Sequence, residues 1–412
     1  MRNWPAKSAL VCATISLLAA TTARAQGDLP QPAAPPQVPP RPPAIALVDA
    51  TDAPQWQAWV AGLGWKVIVA PAADPQAPAS GLDTRLLALD AAVGAAIRDG
   101  GADPGRIYLA GRGAASAAVL YGVSRLPDRW AAALALGGSL ESAVATGRIF
   151  AANFTHVPVL WIGDGTAASE LAGKLKTAGV NLEWRPSAGV TNAAIFEWLA
   201  ARRLDEFPPA IDCETNALAF GRCYWIRITR VDPTERNDVL PPTRVQPGSG
   251  ASLDLGNFGF KPDDPGPGLL VSFLGEKYEG PLKLGDRIVA LDGKPIENPR
   301  QYAETMNRNL ENRRVSVMIQ RGTGRLRLET AIVVPRRDPA VTARVQAHFD
   351  PAAREIEIVS RVAAEMRVTV PPHWVPGGLN WNGLSIETID QPGCILLSIE
   401  KELLRHAPCP AN

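Results

Sequence analysis

The sequence predicts an α/β protein whose first half forms a doubly wound parallel sheet and whose second half is mostly β-structure. Two observations predict this class. Between residues 44 and 208, short and continuously apolar strands alternate with amphipathic helices, which is typical of a parallel sheet covered on both faces. Beyond residue 209 helical patterns become rare, and short strands lie between glycine, proline and aspartate residues.

The elements of the first half follow from the spacing of apolar residues. The segment Asp83–Asp99 carries them at helical spacing, which predicts an amphipathic helix. The predicted strands are Ile45–Val48, Lys66–Val69, Ile107–Ala110, Ala132–Leu136, Val157–Ile162 and Asn181–Trp184. The other predicted helices are Gln55–Ala61, one after Gly113, Ala168–Ala178 and Asn192–Arg203.

Residues 1–25 have the pattern of a secretory signal peptide. Arg2 and Lys7 precede an apolar run, Ser8–Ala20, and small residues mark the exit. The run is short for a membrane-spanning helix, so an N-terminal anchor is the weaker alternative. Residues 26–43 are dominated by proline, alanine and glutamine, which predicts an extended linker. We therefore expect a periplasmic or secreted chain with no membrane span after signal cleavage.

The charge of the chain excludes two classes of partner. Its formal net charge is +1, and removal of residues 1–25 with their three positive charges makes it −2. No basic stripe is typical of a nucleic-acid-binding surface, and no polybasic helix is typical of a membrane-binding one. We therefore expect no nucleic-acid partner, and the sequence predicts no cofactor.

Four of the five cysteines lie beyond the predicted signal peptide. They form two pairs with short spacings, Cys213 with Cys223 and Cys394 with Cys409. An even number of cysteines in an exported chain favours two disulfides with these pairings. The alternative is a zinc site, but neither pair has Cys-x-x-Cys spacing. We therefore predict no metal.

A strand, a turn and a helix near residue 111 have the outline of a nucleophile elbow. The strand Ile107–Ala110 runs into Gly111-Arg112-Gly113-Ala114-Ala115, and an alanine-rich helix follows. In a Gly-x-Ser-x-Gly elbow the central serine is the nucleophile of an α/β-hydrolase. Residues 44–208 therefore resemble the α/β-hydrolase superfamily, in particular secreted esterases and depolymerases related to dipeptidyl-type peptidases. Gly113 stands at the position of the nucleophile.

The acid and the base of a catalytic triad are also missing from the positions that this resemblance implies. The acid position reads Thr166-Ala167-Ala168, and the histidine position falls near Ser187-Ala188-Gly189. His156 precedes a strand, at the wrong end of a parallel sheet for chemistry at the carboxyl edge. Asp164 is typical of a turn residue that accepts backbone hydrogen bonds. We therefore predict a catalytically degenerate domain with no catalytic residue.

Two serines are the candidates for a relocated nucleophile. Ser116 follows Gly113 by three residues, about 4.5 Å along a helix axis, which is far from any oxyanion donors at the elbow. Ser139 ends the next strand, after two glycines, and is the better placed of the two. An active site assembled from distant residues stays open as the alternative.

A second set of motifs lies between residues 256 and 335. Leu282–Val289 contains Gly-Asp before an apolar strand, and Asp292-Gly293 predicts a type I′ hairpin. Asn298 followed by Pro299 predicts a helix start. With these residues, the segment 256–335 resembles a PDZ domain.

The PDZ resemblance implies a groove that binds the C-termini of proteins or peptides between a sheet edge and a helix. The segment Gly256–Phe260 would be the loop that holds the terminal carboxylate. Alternatively, the aromatic residues of this region are ordinary core. The predicted peptide-binding residues are Phe258, Gly259, Phe260, Tyr302 and Met306.

Residues 209–255 and 336–412 complete the predicted organisation, as a β-rich connector and a β-rich C-terminal domain. Trp374 and Trp381 in the latter are either core residues or a surface that stacks on sugars or a partner. With Phe220–Trp225, this domain resembles the β appendage of the secreted esterases, into which the PDZ domain is inserted or to which it is appended.

The sequence predicts an exported, PDZ-containing protein that acts by binding proteins or peptides and whose hydrolase-like domain is catalytically degenerate. The alternative is an active secreted serine hydrolase, an esterase or peptidase with a rearranged site, to which the PDZ domain recruits substrate.

Overall fold

The computed structural model describes residues 40–71, 81–234, 239–246, 251–261, 263–309, 311–334, 341–400 and 403–410. The predicted signal peptide and residues 26–39 of the predicted linker lie outside the described residues. In the part of the chain that is described, no helix combines the length and the apolar character needed to cross a bilayer.

The first half forms one sheet of six parallel strands with helices on both faces. The strands are β1 (Ala44–Leu47), β2 (Lys66–Val69), β3 (Ile107–Arg112), β4 (Ala132–Leu136), β5 (Val159–Ile162) and β6 (Leu182–Arg185). The helices are α1 (Ala53–Val60), α2 (Leu82–Arg98), α3 (Ser116–Arg125), α4 (Glu141–Ala145), α5 (Thr166–Thr177) and α6 (Asn192–Ala200).

The strand order is β2-β1-β3-β4-β5-β6, and each neighbouring pair is parallel. One face is covered by α2, α3 and α5 through Leu86, Val119 and Leu175. The other is covered by α1 and α6 through Trp56 and Leu199. The connections change direction between β1 and β3, and a crevice at the carboxyl ends of the strands beside such a point is the usual ligand site of an open α/β sheet.

The described residues from 210 onward add β-structure and one helix, α7 (Pro299–Asn307). The strands are β7 (Ala210–Thr215), β8 (Arg222–Cys223), β9 (Ile226–Val231), β10 (Ser252–Leu253), β11 (Phe258–Phe260), β12 (Leu269–Leu274), β13 (Arg287–Leu291), β14 (Lys294–Pro295), β15 (Arg313–Arg321), β16 (Gly324–Val333), β17 (Ala343–Asp350), β18 (Glu355–Arg361), β19 (Ala363–Val370), β20 (Gly377–Trp381), β21 (Leu384–Ile389), β22 (Gly393–Glu400) and β23 (Leu403–Pro408).

Ten of these strands form two five-stranded sheets, in the orders β21-β20-β18-β17-β7 and β23-β22-β19-β9-β8. One apolar cluster joins the two sheets. Strands from residues 210–231 share these sheets with strands from residues 343–370, because β7 pairs with β17 and β9 pairs with β19. Trp374 and Trp381 are buried in this cluster, and the indole N–H of Trp381 donates to Ser360 Oγ at 2.8 Å.

Between β9 and β17 the chain forms a third sheet in the order β10-β16-β15-β13-β12-β11, with β14 beside β13. Asp292 and Gly293 both have positive φ, 47° and 75°, as a type I′ turn requires. Asn298 caps α7 by accepting the Gln301 N–H at 3.0 Å. The segment Phe258–Phe260, expected as part of a loop, instead pairs with β12 as the edge strand β11.

Charged side chains join the parallel-sheet domain to β8, the edge strand of one five-stranded sheet. Arg222 on β8 lies 2.5 Å from Asp128 and 3.2 Å from Asp90, and Asp90 also pairs with Arg129 at 2.5 Å. Burial raises the pKa of Asp90, but the guanidinium groups of Arg222 and Arg129 outweigh it and hold this pKa below its ordinary value. The carboxylate is therefore ionised at neutral pH, and the contact is between full charges.

The structure brings both predicted cysteine pairs to disulfide distance. Cys213 of β7 bonds Cys223 of β8, with 6.0 Å between Cα atoms. Cys394 of β22 bonds Cys409, with 5.4 Å between Cα atoms. Cys213 and Cys223 are buried in the cluster between the sheets, so this disulfide joins the first strands of the two sheets.

We predict that replacing both Cys213 and Cys223 with alanine lowers the free energy of unfolding by about 3 kcal/mol, because the bond closes a short loop in the unfolded chain. The two residues are ten apart in sequence. Chemical denaturation under oxidising conditions measures the change. The matched variant lacks Cys394 and Cys409, and an unchanged denaturation midpoint in the first variant would contradict the prediction.

Candidate functional site

A cleft of about 650 Å³ lies at the carboxyl ends of the parallel strands. Residues at the carboxyl end of β3, β4 and β5, and in the loop after β6, line this cleft. The apolar side of the cleft is formed by Trp59, Leu136 and Ile162. The polar side chains are those of Asp52, Arg112, Asp164, Ser187 and Asn192, and the remaining lining residues are glycines.

Gly113 stands at the turn between β3 and α3, in the left-handed region with a φ of +54°. A Cβ built on Gly113 would meet no atom within 4 Å. A Cβ on Gly111 would lie 2.7 Å from the Ala115 carbonyl oxygen and 3.0 Å from Val119 Cγ2, so only glycine lets α3 pack this closely on β3. The chain thus makes the strand, strained turn and helix of a nucleophile elbow, with open space at its tip.

A second glycine turn meets the first. Gly137 and Gly138 follow β4 with φ values of 71° and 65°. A Cβ on Gly138 would lie 2.0 Å from the carbonyl oxygen of Gly113, which no side chain can do. The two turns therefore touch backbone to backbone and form one wall of the cleft.

Asp164 and Ser187 form a hydrogen-bonded pair across the ends of β5 and β6. The Ser187 hydroxyl lies 2.5 Å from Asp164 Oδ2, and the Ser187 N–H donates to Oδ1 at 2.8 Å. The side-chain bond and then the backbone bond lower the pKa of Asp164 below its ordinary value. Asp164 does accept a backbone hydrogen bond, as a turn residue would, but its partner lies on the next strand's loop and not in its own turn.

Arg112 lies at the other side of the cleft, at the end of β3. Its guanidinium is 5.3 Å from the centroid of the Trp59 ring and 4.0 Å from an Asp52 oxygen. The cleft thus carries two carboxylates, one guanidinium and one hydroxyl. Within the described residues, no histidine lines it, and no three acidic, histidine or cysteine side chains converge as a metal site would require.

The candidate nucleophiles and His156 lie elsewhere. Ser116 is completely buried, and its hydroxyl has no partner among the described residues. Ser139 is exposed, and its hydroxyl accepts the Glu141 N–H at 3.2 Å at the start of α4. His156 Nε2 lies 2.6 Å from the Ala210 carbonyl oxygen. None of these residues is among those that line the cleft.

The predicted peptide-binding residues lie at one edge of the third sheet. Phe258, Gly259 and Phe260 are partly exposed in β11, and the Phe260 ring packs edge-on against the Tyr302 ring at 5.6 Å. Tyr302 and Met306 are only 7% and 2% exposed and belong to the core of this sheet. Burial raises the pKa of Tyr302 to about 12. Tyr302 and Met306 therefore pack on the sheet, as in the alternative in which the aromatic residues of this region are core.

Sequence reasoning did not pair Asp164 with Ser187, nor did it place Asp52, Trp59 and Arg112 in one cleft. The contact of Asp164 with Ser187 depends on β5 and β6 being neighbours in the sheet. The consecutive order of these two strands along the chain was the one sequence signal for it. The position of Asp52 follows only from the strand order, in which β1 lies beside β3.

No protein-family model and no curated protein matches the chain. Among solved structures, Arabidopsis thaliana SOBER1 is 16% identical, covers 39% of this chain and 99% of its own, and has a TM-score of 0.29. Thermogutta terrifontis esterase 2, phosphorylated by paraoxon, is 16% identical over 39% of this chain and 80% of its own, with a TM-score of 0.28. The HtrA-type protease AlgW with a decapeptide is 17% identical over 22% of this chain and 31% of its own, with a TM-score of 0.18.

The first half of the chain is a six-stranded parallel sheet with helices on both faces, and β-rich sheets follow it. Esterases are among the solved structures that are similar to part of this chain, each with a TM-score of 0.28. These partial likenesses assign no activity to the chain. The chemistry of the cleft therefore has to be argued from its own residues.

We predict that Ser187→Ala raises the pKa of Asp164 towards its ordinary value, because the hydroxyl stabilises only the ionised carboxylate. Since the folded-state pKa is lowered, the contribution of Asp164 to stability is present above its unfolded pKa and is lost as the pH falls through the folded value. An NMR titration of the carboxyl groups measures the shift. The pKa of Asp232, lowered by Thr234 in the same way, is the control, and an unchanged Asp164 pKa would overturn the prediction.

Proposed function

We propose that this chain is an exported, PDZ-containing protein that binds protein or peptide C-termini, and that its hydrolase-like domain is catalytically degenerate. The observation that carries the second part is the tip of the elbow, where Gly113 leaves open space. In this proposal, residues 1–25 are a signal peptide, residues 44–208 the degenerate domain and residues 256–335 the PDZ domain. The two disulfides are consistent with an extracellular location.

The cleft lacks the groups that acyl transfer needs. The Ser187 hydroxyl is hydrogen-bonded to a carboxylate whose pKa is lowered, and such a carboxylate is a poor general base at neutral pH. No histidine among the described residues lies between the two to take up the proton. Loss of a nucleophile or of its base costs about a million-fold in turnover in serine hydrolases, so an elbow without either supports binding rather than catalysis.

The edge strand β11 supports peptide binding. It pairs with β12 on one side only among the described strands, and α7 lies near it through the contact of Tyr302 with Phe260. An extended peptide that adds to such an edge gains main-chain hydrogen bonds and places alternate side chains against the helix. Phe258 and Phe260 are the partly exposed aromatic residues there, and Gly256, with a φ of 83°, gives the preceding turn.

The second candidate function is that of an active secreted esterase or peptidase with a rearranged site. The contact between Ser187 and Asp164 in the cleft favours it, because a hydroxyl nucleophile is activated by an adjacent group that accepts its proton. Ser139 remains the other candidate nucleophile of this alternative, because it is exposed. Ser116 is not accessible to a substrate in this structure, since it is completely buried.

We predict that the mature protein hydrolyses p-nitrophenyl acetate and butyrate no faster than its Ser139→Ala and Ser187→Ala variants do. All three should match the rate with heat-denatured protein. The physical reason is the missing base. Turnover that disappears in one of the two variants would refute the degenerate site and establish the esterase alternative.

We predict that the mature protein selects ligands from a library of C-terminal peptides, and that Phe258→Ala weakens their binding about tenfold, the cost of losing one apolar pocket wall. Phe273→Ala is the matched control, because Phe273 lies opposite Gly259 on β12 and is 55% exposed. Fluorescence anisotropy with labelled peptides measures the affinity of both variants. Equal binding of peptides with an amidated C-terminus, or no ligand at all, would contradict a carboxylate-binding groove.

A further inference from the structure

A second cleft, of about 670 Å³, lies between α4, α5 and the segment 242–246, close to the end of α7. It shares no lining residue with the cleft at Gly113. Val144, Leu171, Leu175 and Val245 give it an apolar wall. Ligand sites for small molecules have volumes of about 300–1,000 Å³, apolar walls and a few polar groups, and this cleft has that character.

Three charged side chains line the cleft, together with the polar residues Thr243, Gln246 and Asn307. Lys174 and Arg244 line the cleft, and Glu141 is the carboxylate on its other side. The Arg244 guanidinium is held 5.9 Å from the centroid of the Phe150 ring. The rim therefore carries one net positive charge, beside a wall that is apolar.

Lys174 is the cation that the surrounding structure does not use. Glu170 lies one helical turn before it on α5, the spacing of a helical ion pair, but Glu170 bonds Arg300 of α7 at 2.8 Å instead. Across the described ranges of the chain, the Lys174 ammonium has no ion pair or side-chain hydrogen bond. It is exposed at the rim, with its three donors available to a ligand.

We propose that this cleft binds a medium-chain alkyl carboxylate, with the carboxylate on Lys174 and the alkyl chain along the apolar wall. The ammonium of Lys174 is exposed, so its pairing with a carboxylate gives direction to the ligand and contributes only modestly to affinity. The alkyl chain adds the free energy of removing apolar area from water. A neutral alkyl chain would leave the cation unpaired, and a short anion would leave the wall in water.

The test is isothermal titration calorimetry of the mature protein with sodium octanoate, sodium hexanoate and octanol. We expect saturable binding of octanoate, and binding of hexanoate about tenfold weaker because it buries two fewer methylenes. Lys174→Gln should weaken octanoate binding about fivefold, the upper range for the loss of an exposed ion pair. Lys176→Gln, on the same helix and exposed but outside the cleft, is the matched control and should bind as the wild type does.

A third variant tests the apolar wall. Ala145 is exposed and lines the cleft, so Ala145→Phe fills it without disturbing the core and should abolish octanoate binding. The proposal is overturned if octanoate does not bind saturably, if Lys174→Gln and Lys176→Gln have the same effect, or if octanol binds as tightly as octanoate. Thermal unfolding of each variant shows that it is folded before it is titrated.

Discussion

The close approach of two glycine turns determines the shape of the cleft on the parallel sheet. A Cβ at Gly138 would lie 2.0 Å from the carbonyl oxygen of Gly113, so these two backbones can meet only while residue 138 is glycine. A Cβ at Gly111 would likewise clash with the start of α3, so glycine at this position lets α3 pack closely on β3. The form of this strand, turn and helix therefore depends on Gly111 and Gly138, whatever residue stands at position 113.

Among the described residues, the polar side chains of this cleft form two groups on opposite sides. Asp164 holds Ser187 on one side, and Arg112 lies over Trp59 near Asp52 on the other. These groups can bind and orient a ligand by hydrogen bonds. General base catalysis at pH 7 is most efficient with a group whose pKa lies near neutrality, whereas Ser187 lowers the pKa of Asp164 and no histidine among the described residues lines the cleft. The proposal of a binding protein rests on this difference between recognition and proton transfer.

The sequence was informative where a single local pattern decides the structure. The strands Lys66–Val69 and Ala132–Leu136 have the bounds that were predicted, because continuous apolar runs between polar turns have one solution in a parallel sheet. The turn at Asp292-Gly293 and the cap at Asn298 likewise depend on one or two residues. The cysteine pairs were predictable because each closes a short loop.

Other features depend on partners that are distant in sequence. The strand β7 pairs with β17, more than a hundred residues later, and no pattern within β7 itself reveals that pairing. The three residues of β11 contain a glycine between two phenylalanines, a pattern that suits a loop as well as an edge strand. Tyr302 and Met306 lie four residues apart on α7, and only packing shows that their shared face meets the sheet. The contact of Asp164 with Ser187 depends on neighbouring strand ends.

Intact-protein mass spectrometry after incubation with a fluorophosphonate probe tests the central claim most directly, because the probe reacts only with an activated serine. The degenerate elbow predicts an unchanged mass for the mature protein under conditions that label a serine esterase fully. A stoichiometric adduct mapped to Ser187 or Ser139 would contradict it and would show that the nucleophile has moved within the fold.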